Sequence, residues 1–86
     1  MKRTTEEKIK LIWDFHGPVA AKTAEHHTKH LAEFIVLENL NNDITGFINF
    51  SDYHSAAYMV VDKSELKEVR AILKPHRGQI FKNENS

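Results

Sequence analysis

No cysteine occurs in the 86 residues. That removes disulfides, thiolate metal sites, iron–sulfur clusters and cysteine nucleophiles together. No charge of either sign is in surplus, since 12 lysines and arginines face 12 aspartates and glutamates. Binding along a phosphate backbone needs cations massed on one face, so nucleic acid is not an expected partner. No apolar run approaches the roughly 18 residues of a membrane span, and the polar stretch from Thr4 to Lys8 lies where a secretory signal would place its apolar core. The expectation is a cytoplasmic protein with no membrane partner.

What is present is globular: 41% hydrophobic and 28% charged residues, without low-complexity bias. The length suits one domain, residues 1–86, with a core over about residues 8–82. The polar ends, Met1 to Glu6 and Asn83 to Ser86, read as frayed. Six histidines make the charge state steeply pH-dependent.

Ile9, Leu11, Trp13 and Phe15 alternate with Lys10, Ile12 and Asp14, the period-two pattern of a strand. Gly17-Pro18 breaks it, and Pro18 fits the first position of a helix reaching Glu38. Ala20, Ala24, His27, Leu31 and Phe34 form its core stripe, opposite Lys22, His26, Lys29 and Glu33. Asn39 to Asp43 makes a turn. Ile44 to Phe50 and Ala56 to Val61 then read as a hairpin closed by Ser51 to Ser55. Asp62 with Glu65 caps a second helix bearing Leu66, Val69, Ile72 and Leu73, and Pro75 ends it. Arg70, Lys74, His76 and Arg77 offset that helix's dipole, Gly78 suits its left-handed cap, and Gln79 to Lys82 forms a fourth strand.

The order β-α-β-β-α-β with right-handed crossovers is the ferredoxin-like α+β fold: a four-stranded antiparallel sheet, spatial order 4-1-3-2, with helices near 18–38 and 63–74 on one face. The other face stays open, carrying Ile12 and Asp14, Phe47 and Asn49, and Ala56, Tyr58 and Val60, or the complementary sets. Either choice exposes apolar groups, so a homodimer through the open sheet face is expected.

Three groups carry candidate chemistry. His26 and His30 stand one helical turn apart and can chelate one ion, zinc or nickel, although the general base of a zincin helix is absent because His27 occupies its place. The alternative is a solvated His26, a hydrogen-bonded core His27 and a boundary His30. Asp14 and His16 share one side of the first strand beside a helix N-terminus, the arrangement of a catalytic acid/base pair for an anionic or carbonyl-bearing small molecule. The alternative is a local polar cluster at the turn. Tyr58 and His54, with Tyr53 at the hairpin, are candidate ligand-binding residues, or else rim packing.

The layout of His30-Leu31 in the first helix, the hairpin, and Asp62 to Arg70 leading into the second helix resembles the YCII-related proteins over about residues 9–74. That resemblance implies dimeric α/β barrels of ferredoxin-like protomers paired sheet to sheet, and a histidine–aspartate acid/base site, here His30 with Asp14. A helix rises about 1.5 Å per residue, so His30 lies roughly 18 Å along the axis from Pro18 and would reach Asp14 only across a dimer interface. Asp14-Phe15-His16-Gly17-Pro18 also looks like the acidic-glycine turn of ACT-type regulatory domains, which implies a ligand- or metal-binding module instead. A dimer without chemistry of its own is the third reading.

Overall fold

The computed structural model describes residues 7–81. The polar ends read as frayed, and Lys82 as the close of the last strand, lie outside the described residues. The chain runs β1 (Lys8–His16), α1 (Ala20–Glu38), β2 (Thr45–Ser51), β3 (His54–Asp62), α2 (Lys63–Leu73) and β4 (Arg77–Phe81). The four strands form one antiparallel sheet in the order β2-β3-β1-β4, the ferredoxin-like α+β layout expected from the patterning.

Alternation decides which residues meet the helices. Leu11 and Trp13 from β1 and Ala57, Met59 and Val61 from β3 are buried against Leu31 and Ile35 of α1 and Val69 of α2, with Ile9, Phe15, Phe34 and Leu66 packed around them. Burying each such aliphatic side chain contributes about 1.5–3 kcal/mol, so this one layer supplies most of the driving force for the fold. The opposite residues of the central strands, Ile12, Asp14 and His16 with His54, Ala56, Tyr58 and Val60, therefore share the open face.

On β2 the register resolves the open choice. Phe47 lies opposite Ala57 and Asn49 opposite Ser55, so both point toward the helices, and Gly46 and Ile48 take the open face instead. The pairing of Phe47 and Asn49 with Ile12 and Asp14 is thus corrected by one residue, the shift that moves every side chain of a strand to the other face. Gly46 has a packing reason: a Cβ built there would come 2.5 Å from the Tyr58 hydroxyl oxygen, so the glycine makes room for the Tyr58 ring across β2.

Other boundaries also differ from expectation, the hairpin among them: β2 runs through Ser51 and β3 starts at His54, so the loop read as Ser51 to Ser55 is reduced to Asp52 and Tyr53. Helix α1 starts at Ala20 behind a Val19 cap, two residues after Pro18, because Gly17 takes φ +112° and its N–H donates to the Tyr53 carbonyl at 2.9 Å, so the chain finishes turning before it coils. The left-handed cap of α2 is Lys74, at φ 49°, not Gly78. Gly78 lies within β4 opposite Leu11, and β4 begins two residues earlier than expected, at Arg77. The Asp62–Glu65 capping box forms as read, with the Asp62 N–H donating to Glu65 at 3.3 Å. No helix among the described residues is long and apolar enough to cross a membrane.

Candidate functional site

Asp14 lies near the end of β1, one of the sheet's two inner strands, and both flanking strands reach it. From β3, His54 Nε2 approaches Asp14 Oδ1 at 2.9 Å. From β4, Arg77 donates through Nε to Oδ2 at 2.7 Å and through its terminal nitrogen to Oδ1 at 3.0 Å, a two-pronged contact. Neither partner sits directly across from Asp14: Ala56 does on β3, and Arg77 pairs with Ile12 on β4. The long side chains reach diagonally over the small Ala56 and past Ile12, which is the geometry cross-strand neighbours two residues out allow.

The backbone of Asp14 is held as well. Beyond the first residue of β4 the strand no longer supplies a carbonyl, and the Asp14 N–H donates to His76 Nδ1 at 2.9 Å. A neutral His76 therefore carries its proton on Nε2. The Arg77 guanidinium, and after it the His54 imidazole, hold the Asp14 carboxyl far below the usual carboxylate range against the opposing effect of burial, and Asp14 in turn raises Arg77. Asp14 is thus an acceptor at any physiological pH. His54 must donate its Nε2–H to it, which leaves His54 Nδ1 as the ring's lone-pair nitrogen.

The His54 ring is fixed on both sides. His16 stacks on it at 4.4 Å between centroids and 14° between planes, and Phe50 packs at 4.7 Å. Phe50 comes beside it through the β-bulge between Asn49 and Ser51. Next to this array a depression of about 230 Å³ is lined by Lys10, Ile12, Ile48, Phe50, Tyr58 and Arg77 among others. Lys10 Nζ stands 4.4 Å over the Tyr58 ring. A larger hollow of about 450 Å³ between α2 and β4 is floored by Ile9, Leu11, Leu66 and Ile80 and edged by Arg70 and His76. Arg77 edges both hollows and neither lining holds a carboxylate; the smaller depression is the one on the open face, where Ala56 lies directly opposite Asp14.

The candidates named from the sequence fall into two places. Asp14, His16, His54 and Tyr58 come together on the open face, with Asp14 bonded to His54 and His16 stacked on that ring. His30 is elsewhere: on α1 its contacts are His26, Nε2 to Nε2 at 3.0 Å, and Glu33, 3.6 Å from its Nδ1. Among the described residues no group of three or more histidines, aspartates or glutamates is placed to hold a metal.

His27 is not the hydrogen-bonded core histidine expected. Its ring packs 5.0 Å from Trp13 and 5.5 Å from Phe15, and its Nε2 is buried without a hydrogen-bond partner. Desolvation, with smaller contributions from His30, His76 and His26, lowers it from the ordinary histidine value. Arg77 and His76 are the members that sequence reasoning missed, because they read as cations at a helix end. The available signal was Pro75: a helix closed there leaves room for a strand to start at Arg77, in register with Ile12.

At the far end of the same face Asp62 accepts from Asn42 and Asn41 at 2.8 Å each and from Lys8 at 3.2 Å, which together lower its carboxyl. Every oxygen there is engaged with the chain itself, so that carboxylate serves to tie the α1–β2 turn to the sheet. Comparison with protein-family models, with curated proteins and with solved structures finds no match.

Proposed function

We propose that the open sheet face is an acid/base site for a small carbonyl- or carboxylate-bearing molecule, covered by a second copy of the chain in the manner of the YCII-related proteins, in the cytoplasm. The observation that carries this is the Asp14–His54–Arg77 array beside the 230 Å³ depression. Asp14 orients His54 and keeps Nδ1 unprotonated in the neutral ring, so His54 takes or returns a proton there. Arg77 and Lys10 supply positive charge at the rim, where an anionic group of the guest would lie. Tyr58, Ile12, Ile48 and Phe50 supply the apolar wall that excludes water, and His16 serves as the stacking support of His54 rather than as the proton carrier.

The test is a titration with a panel of small keto acids and carboxylates followed by the ring resonances of His54 and the Nε signal of Arg77. Saturable shifts at both are expected, the Arg77 shift lost in His54→Ala and the His54 shift lost in Arg77→Met. Shifts absent for every compound, or a remaining reporter that responds unchanged in each variant, overturn the reading.

A further inference from the structure

We propose that His26 and His30 form a two-imidazole clamp on the outer face of α1 for a borderline divalent cation, zinc or nickel, separate from the open sheet face. The two side chains lie four residues apart on one helix, and their Nε2 atoms already face each other at 3.0 Å with the rings edge to face at 75°. An ion held about 2.0–2.1 Å from each imidazole nitrogen spaces them about 2.9 Å apart at a right angle and about 3.3 Å at a tetrahedral angle. The observed gap falls between these values, so the spacing already suits an ion, and each ring has only to turn by about 35–45° to aim its lone pair at it instead of at the other nitrogen.

Glu33 adds the second element of a metal-binding histidine. Its carboxylate lies 3.6 Å from His30 Nδ1, which favours the proton on that nitrogen and leaves the Nε2 lone pair directed at His26. Without metal, His26 Nε2 must then carry the shared proton. When an ion binds, that proton moves to His26 Nδ1 through solvent, so both rings stay neutral and no net proton is lost. A carboxylate behind a ligating imidazole is the usual outer-shell arrangement. Water from the shallow hollow beside His26 completes the coordination, since no third histidine, aspartate or glutamate among the described residues is placed to join the pair. Lys22 and Lys29 edge the same hollow and weaken cation binding there.

The other histidine pair on the molecule lacks this geometry. His16 and His54 are stacked nearly parallel, so their ring nitrogens point side by side and do not converge on one ion.

Calorimetry with zinc chloride and nickel chloride on the whole chain, alongside thermal melts, tests the proposal. One ion per chain, a higher melting temperature with metal, and a loss of at least tenfold in affinity in both His26→Ala and His30→Ala are expected. Glu33→Gln should weaken binding by about tenfold while leaving the circular dichroism unchanged. No heat at millimolar metal, or binding that survives both histidine substitutions in folded variants, overturns it. Both histidine side chains lie on the solvent side of α1, so the variants retain the core.

Discussion

Asp14 accepts three hydrogen bonds from two neighbouring strands, and its carboxyl is lowered chiefly by Arg77. Asp62 is lowered by Asn42, Asn41 and Lys8. A carboxyl whose folded value lies below its unfolded value of about 3.9 contributes stability that is complete above that value and is lost as pH falls beneath it. Acid therefore removes both contributions below about pH 4. Urea melts over a pH series should show Asp14→Asn flattening the acid limb relative to wild type; an identical acid limb would mean that the Arg77 contact does not persist in solution. Asp14 was legible as a site residue because a lone carboxylate in an alternating strand stands out. Its partners were not, since His54 and Arg77 reach it diagonally and only the register reveals a diagonal. His27 was legible as a core position through its helical spacing, but the lack of a partner for its Nε2 depends on packing between Trp13 and Phe15 that spacing does not encode.

At the scale of elements, one indole ties the end of α2 to the sheet, beside the core packing of Leu66 and Val69. Trp13 Nε1–H donates to the Leu73 carbonyl, one of the last carbonyls of α2, at 2.9 Å. Trp13→Phe keeps the ring's apolar contacts and strands that carbonyl, at a cost of about 1–3 kcal/mol. Chemical denaturation measures it, and hydrogen exchange should show the last turn of α2 opening before α1. A variant as stable as wild type would show that water replaces the indole. Element types were readable from periodicity alone, as with the Ile9–Phe15 alternation. Ends were less so: α1 begins late because Gly17 and Pro18 are used in a turn tied to Tyr53, and β4 begins early because Lys74 adopts the left-handed cap that glycine usually fills. The first shift follows from a contact between segments distant in sequence, and the second from a local one, the Lys74 N–H closing on the Arg70 carbonyl.

For the molecule as a whole, the open face is the feature to explain. Ile12, Ala56 and Val60 line its floor, with Ile48 and Phe50 standing 39% and 51% exposed above it, and the chain bears no net charge to keep copies apart. Sedimentation at micromolar concentration should give a dimer, and Ile48→Asp, which sets a charge opposite Ala56, should shift it to monomer. A wild-type monomer would leave the Asp14–His54–Arg77 array open to bulk water and remove the enclosure that acid/base chemistry needs.

The place of β1 has a consequence for how the chain comes into being. This strand is the first to be made and lies inside the sheet, with Lys8 opposite both Asp62 and Phe81. Its neighbour β3 exists only once α1 and the hairpin have been added, and β4 only after α2, so β1 waits through much of synthesis with both edges unsatisfied and through α2 with one. Closure of the sheet requires loops that span nearly the whole described chain, and contacts so distant in sequence form slowly. A nascent chain stopped before Arg77 carries one side of β1 unpaired, and that is the stage at which it is most exposed to pairing with another copy of itself instead of with its own last strand.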